Sequence, residues 1–124
     1  MRVLIVDDEE SMRVLLASMV STELKAEVQL AGTCEHALSL AEASKYDAIL
    51  LDLMMPGIGG VGVLYRLRRG ALNAKTPVII VSAVAGNDTI ERCMKAGASA
   101  YLTKPVRSED LAKTLRKHLP HTHA

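Results

Sequence analysis

Three short stretches of this chain are aliphatic without interruption: residues 3–6 (Val-Leu-Ile-Val), Ala48–Leu51 (Ala-Ile-Leu-Leu) and residues 78–81 (Val-Ile-Ile-Val). A strand with one wet face alternates apolar and polar residues, whereas a run with no polar position is a strand covered on both faces. Covering both faces takes helices, and helical patterns follow each run. Residues 10–24 place Met12, Leu15, Leu16, Met19 and Val20 at spacings of three and four, one apolar stripe. Cys34–Ala43 is rich in Ala and Leu, with Thr33 as its N-cap. Residues 61–69 end in Arg66, Arg68 and Arg69, a basic cluster suited to a helix C-terminus. Residues 88–96 stop at Gly97, a good C-cap. In residues 108–119 Ser108 can cap, Glu109 and Asp110 occupy the first turn, and Arg116 and Lys117 sit near the end. Two more strands, the alternating residues 27–30 and the short Ala100–Thr103, bring the total to five strand–helix pairs. Such a chain makes a parallel sheet with helices on both sides. Right-handed crossovers then restrict the topology to a doubly wound α/β fold.

The length of 124 residues suits one domain that buries a core without disulfides or a structural metal. Residues 1–119 are expected to form it, and 120–124 a frayed end or the start of a linker. The hydrophobic fraction is 49% with three Tyr and no Trp or Phe, so the core must be aliphatic. A net charge of +1 gives no signal for nucleic acid. Cys34 and Cys93 each stand alone in a helical pattern and read as thiols of a cytosolic protein rather than as a disulfide. No apolar run approaches membrane-spanning length and Met1 leads straight into a strand, so a cytoplasmic protein without a signal peptide is expected.

In doubly wound sheets ligands bind at the carboxyl ends of the strands. Asp7 and Asp8 follow the first strand, Asp52 the third, Ser82 the fourth and Lys104 the fifth. Three carboxylates at one strand-end pocket cannot all stay ionised without compensation, which a hard cation such as Mg2+ supplies through oxygen ligands. Lys104 adds a positive charge that could pair with Asp52 or with an anion attached there, and Ser82 adds a hydroxyl. That set suits phosphoryl transfer, where catalysis is mostly positioning and charge neutralisation. Asp52, set between an apolar run and Pro56-Gly57, is the carboxylate best placed as nucleophile, giving an aspartyl phosphate.

Taken in order, the motifs resemble the receiver domain of two-component response regulators, the flavodoxin-like fold shared with the chemotaxis receiver. They are Asp7-Asp8 after Leu4-Ile5-Val6, Leu50-Leu51-Asp52-Leu53-Met54-Met55-Pro56-Gly57, Pro77 through Ala83, Gly97-Ala98, and Tyr101-Leu102-Thr103-Lys104-Pro105. The resemblance covers roughly residues 2–119. It implies a (βα)5 sheet of strand order 2-1-3-4-5. It also implies that Asp52 takes a phosphoryl group from a phosphohistidine of a sensor histidine kinase or a histidine phosphotransfer protein. Mg2+, or Mn2+, would be held by Asp8 directly, by Asp7 through water, by Asp52 and by the backbone carbonyl of Met54. Lys104 would pair with the phosphoryl oxygens across a cis Lys104–Pro105 bond. Ser82 would move inward to the phosphoryl group, the Ala83 N–H would bind it, and Tyr101 would act as the switch aromatic. The surface of the fourth helix, fifth strand and fifth helix would then change. Such a domain is a phosphoacceptor, with phosphotransfer and autodephosphorylation as its only activities. Its partners are the phosphodonor and an unknown output, with no nucleic acid or membrane bound directly.

This sequence departs from the family pattern where Val106 replaces the usual Phe after Lys-Pro, and where Gly59-Gly60 replaces an acid-Gly pair before the third helix. Ala98-Ser99-Ala100 lacks the acids common in receivers that dimerise through their fourth helix, fifth strand and fifth helix. A degenerate receiver that only binds partners is the alternative, and the intact acid, Ser82 and Lys104 set argues against it. A haloacid-dehalogenase-like Mg2+ phosphohydrolase needs an acid two residues after its nucleophile, where Met54 stands. A flavin or cobalamin site lacks its phosphate loop and histidines. Tyr101 alone could be a half-buried strand tyrosine, and His36, His118, His121 and His123 read as exposed polar residues. Lys113, Arg116 and Lys117 form a basic strip on the last helix.

Overall fold

The computed structural model describes residues 1–119; the expected tail, with His121 and His123, lies outside them. Five strands alternate with five helices: β1 (Arg2–Val6), α1 (Glu10–Glu23), β2 (Glu27–Ala31), α2 (Cys34–Ala43), β3 (Ala48–Leu51), α3 (Gly59–Arg69), β4 (Val78–Ser82), α4 (Asn87–Lys95), β5 (Ala100–Thr103) and α5 (Ser108–His118). All pairings are parallel, in the order β2-β1-β3-β4-β5. This is the doubly wound flavodoxin-like architecture and strand order expected from the sequence.

The unbroken aliphatic runs are the central strands, and their alternate residues feed two separate cores. Leu4, Val6, Ile49, Leu51, Val78 and Ile80 pack with Ala37 and Ala41 of α2, Val63, Leu64 and Leu67 of α3 and Cys93 of α4. Val3, Ile5, Ala48, Leu50, Ile79 and Val81 pack with Leu16 and Val20 of α1 and Leu111 and Leu115 of α5. Side chains that alternate across the sheet need apolar cover on each face, which is why no polar residue interrupts these strands. β2 lies at an edge, and only Ala31 of its five residues is buried. Cys34 and Cys93 are buried free thiols.

Several local expectations are corrected by the packing. Leu15 of the expected α1 stripe is 47% exposed and stands outside the core, whereas Leu16 and Val20 are buried and Met12 and Met19 pack partly buried against the same cluster. Ser108 is the first helical residue of α5 rather than its cap. Arg107 holds the cap position and makes no side-chain cap bond there. α3 begins at Gly59, two residues before the apolar pattern starts. Arg68 is no solvated helix-end charge. Its Nε and Nη2 donate to the Gly97 carbonyl at 3.0 and 2.8 Å, and its Nη1 donates to the Thr76 carbonyl at 2.7 Å. The guanidinium thereby ties the end of α3 to the turns before β4 and β5, and its burial lowers its pKa.

Candidate functional site

Register decides where the reactive residues meet. Val6 pairs with Leu51, and Leu51 with Ile80, so β1, β3 and β4 end at nearly one level. The ladder continues for one bond past each strand: Asp52 N–H donates to Val6 O (2.9 Å), Asp7 N–H to Ala31 O (3.1 Å) and Lys104 N–H to Ser82 O (2.8 Å). Asp7 and Asp52 therefore leave neighbouring strands side by side, and Lys104 leaves β5, across β4 and two residues further along the register, each with its backbone already fixed. Carboxylate oxygens of Asp7, Asp8 and Asp52 lie within 4.8 Å of one another.

The three acids differ in environment. Asp7 is fully buried, and both its oxygens are engaged: Oδ2 accepts from Lys104 Nζ at 2.9 Å and Oδ1 from the Glu9 N–H at 2.9 Å. Asp52 is 4% exposed; its Oδ1 accepts weakly from the Met54 N–H at 3.3 Å, and its Oδ2 lies 3.7 Å from Lys104 Nζ. Burial pushes its pKa above the ordinary 3.8; the Lys104 charge opposes that rise and Asp7 adds to it. Asp8 is exposed, and no hydrogen bond reaches its carboxylate among the described residues. Burial disfavours the Lys104 ammonium, but the Asp7 hydrogen bond and the charges of Asp52 and Asp7 outweigh it and raise its pKa. The expected Lys104–Asp52 pairing is thus the longer of two contacts, with Asp7 the nearer partner. The Lys104–Pro105 bond is cis.

Ser82 is buried, and its Oγ accepts the Val84 N–H at 3.2 Å. Tyr101 packs partly against the core, and its hydroxyl donates to the Val84 carbonyl. Val84 thus receives one bond and gives another, linking Ser82 to Tyr101 through a single residue of the β4–α4 loop. Ala83 is exposed beside Ser82, and Met54 is 63% exposed in the loop that follows Asp52.

Two site features are not evident from motifs. Gly60 lies against the backbone of the central acid: a Cβ there would sit 2.3 Å from the Asp52 carbonyl oxygen and 2.6 Å from Leu53 Cα. Its signal is a glycine in a helical turn where no positive φ requires one. Arg13 reaches back to the Asp7 carbonyl (2.7 Å), a contact with backbone that residue type does not announce. His36 is exposed and stands apart from the acids. A depression of about 460 Å3 lies at the opposite end of the sheet between Lys45, Tyr46, Lys75 and Pro77. Its lining carries one acid, Asp47, whereas the three-carboxylate cluster lies at the carboxyl ends of the strands.

The sequence model of the response regulator receiver domain matches residues 3–116. The chain belongs to that family. Among curated relatives this receiver domain is 35% identical over 117 residues to the sensory/regulatory protein RpfC of Xanthomonas campestris, covering 93% of this chain but 16% of RpfC. The first curated relatives it matches are all longer, and it spans about half their length or less. Among solved structures, the Vibrio cholerae chemotaxis protein CheY4 superposes with a TM-score of 0.89 at 28% identity, over 95% of this chain and 98% of that one. The receiver domain of the Pseudomonas aeruginosa sensor histidine kinase PA1611 gives 0.86 at 27% identity, over 94% and 95%, and was solved with a magnesium ion coordinated in its active site cleft. No helix among the described residues of this receiver domain is long and apolar enough to cross a membrane.

Proposed function

We propose that this receiver domain is a phosphorylation-operated switch in which Asp52 accepts a phosphoryl group from a phosphohistidine of a sensor kinase or a histidine phosphotransfer protein. The observation that carries this reading is the environment of Asp52: nearly buried, held at a strand end, 3.7 Å from an ammonium and flanked by two further carboxylates. A buried carboxylate with a raised pKa but a cationic neighbour is poised to gain from a reaction that places new anionic oxygens beside Lys104. In the transfer, an Asp52 oxygen forms a bond to phosphorus as the phosphorus–nitrogen bond of the donor breaks, and the imidazole nitrogen keeps the electron pair.

The oxygen-only donor set fits a hard divalent cation, Mg2+ or Mn2+. Asp8, exposed and without a hydrogen-bond partner among the described residues, would hold it directly together with Asp52 and the Met54 carbonyl; Asp7, with both oxygens engaged, would act through water. When bound, the cation neutralises the clustered carboxylates and the incoming phosphoryl oxygens. Lys104 exchanges part of its hold on Asp7 for the phosphoryl group, and the Ala83 N–H and the Ser82 hydroxyl bind the same oxygens. Once Ser82 turns, the Val84 N–H loses its acceptor. The Tyr101 hydroxyl is bonded to the same residue, so the rearrangement is passed to β5 and the adjoining α4 and α5 surface. The phosphate shifts the population only by its differential contacts with the two arrangements. In this reading residues 1–119 are the switch and 120–124 a tail or the start of a linker, the setting is cytoplasmic, and the only activities are phosphotransfer and autodephosphorylation.

Incubation with Mg2+ and acetyl phosphate, followed by intact-mass measurement, tests the assignment. A labile phosphoryl adduct is expected on the wild type and absent from Asp52→Asn. An adduct that persists in Asp52→Asn refutes Asp52 as the acceptor, and steady release of phosphate from a range of monoesters would favour a phosphohydrolase.

A further inference from the structure

Arg13 has no part in the switch just described, yet its side chain runs back from α1 to the acid-bearing turn. Its Nη1 donates to the Asp7 carbonyl oxygen at 2.7 Å. The other polar groups of Asp7 are held by different partners: the N–H by Ala31 O, Oδ2 by Lys104 and Oδ1 by the Glu9 N–H. The carbonyl held by Arg13 belongs to the peptide between Asp7 and Asp8. The plane of that peptide sets the direction in which Asp8 leaves the turn, and no hydrogen bond among the described residues orients the Asp8 carboxylate itself.

A second element is shaped around the same guanidinium. A Cβ built at Gly32, in the β2–α2 turn, would lie 2.7 Å from Arg13 Nη1 and 3.2 Å from Cζ. Gly32 has no positive φ, so its missing side chain provides room for Arg13 rather than backbone freedom.

We propose that Arg13 is a positioning residue for the cation site: by pinning the Asp7 carbonyl it fixes the Asp8 carboxylate, and Gly32 leaves the space its guanidinium fills. The inference rests on the cation reading of the acidic cleft given above. Its sign separates it from a charge effect. As a nearby positive charge, Arg13 opposes a divalent cation, so its removal would tighten binding. As a support behind a ligand, its removal weakens binding, and losing such supports lowers metal affinity by about 10- to 100-fold.

The test is titration of the 124-residue chain with Mg2+ alone, by calorimetry and by amide chemical shifts, beside a thermal melt of each metal-free variant. Arg13→Ala is expected to bind Mg2+ about tenfold more weakly than wild type. Gly32→Ala keeps every charge but pushes the guanidinium aside, and is expected to weaken binding in the same direction while remaining folded. Arg13→Lys, with a donor of similar reach, recovers most of the affinity. Equal or tighter binding by Arg13→Ala, or unaltered binding by Gly32→Ala, overturns the proposal. If Arg13→Ala does not fold, Gly32→Ala and Arg13→Lys decide. A wild type that binds no Mg2+ overturns the cation reading and this inference with it, whereas a binding wild type with indifferent variants overturns this inference alone.

Discussion

Replacing Gly60 by alanine should disturb the phosphoacceptor through its backbone. The added Cβ would stand 2.3 Å from the Asp52 carbonyl oxygen, 2.6 Å from Leu53 Cα and 3.0 Å from the Asp52 carbonyl carbon. Ordinary contact begins at 3.4 Å, so the start of α3 and the β3–α3 loop must separate by about 1.1 Å. None of the three obstacles is a side chain that can swing away. The Gly60 N–H to Leu53 O bond, 3.0 Å long, spans the same gap and lengthens with it. Overpacking of this kind costs about 1–3 kcal/mol, and an immovable backbone places Gly60→Ala at the upper end, about 3 kcal/mol. At roughly 4 °C per kcal/mol for a domain of this size, the melting temperature falls by about 12 °C. Displacing the peptide of the reacting residue by about 1 Å also slows phosphorylation by acetyl phosphate, by about 10- to 100-fold. Gly86→Ala is the control: nothing lies within 4 Å of its Cβ position and no positive φ is involved, so a change of less than about 1 kcal/mol is expected. Calorimetric melts and an acetyl-phosphate time course on both variants give the comparison. If Gly60→Ala melts within about 2 °C of wild type and phosphorylates at the wild-type rate, the close-approach reasoning is wrong.

Lys104→Met leaves the buried Asp7 carboxylate without its 2.9 Å partner and should destabilise the metal-free protein by about 3 kcal/mol in urea unfolding, with Mg2+ restoring part of the loss. The raised pKa of Asp52 means that the folded protein binds a proton there more tightly than the unfolded chain does. Its ionisation therefore opposes folding at neutral pH, and that penalty is relieved as pH falls through the raised value toward 3.8. Metal-free Asp52→Asn should accordingly be more stable than wild type at pH 7, with the gap closing in acid; a gap that widens in acid contradicts this. Asn73 is 2% exposed, accepts the Tyr46 N–H at 2.9 Å and donates to Ala41 O and Ser44 O at 2.7 and 2.9 Å, so Asn73→Ala should cost about 3 kcal/mol by the same unfolding assay. Met54, two residues after Asp52, and Val84, two after Ser82, are apolar and orient no water for in-line attack. Met54→Asn should therefore shorten the phosphoryl lifetime, and an equal or longer lifetime in that variant refutes the idea.

The aliphatic strands dictated most of this architecture by themselves. Residues 3–6, Ala48–Leu51 and 78–81 have no polar position, and burial on both faces with helices between leaves little but a parallel doubly wound sheet. The strand-end acids and Lys104 were legible for the same reason: once the strands are parallel, everything just past their carboxyl ends must face one side. Helix boundaries were less legible. α3 starts on two glycines of poor helix propensity, and it is helical there because the sheet and the Asp52 loop hold it, not because its residues favour helix.

What only the tertiary structure decided is which groups actually touch. Lys104 is 97 residues from Asp7 in the chain, and register rather than residue type makes Asp7 its nearer partner. Arg68 looks like a helix-end charge and instead gathers the carbonyls of Thr76 and Gly97. Arg13 and Gly60 act on the backbone of Asp7 and Asp52. A sequence displays side chains and their periodicity, and so it determined the fold and the inventory of the site. Backbone carbonyls are the same at every position, and their partners exist only once the chain has folded.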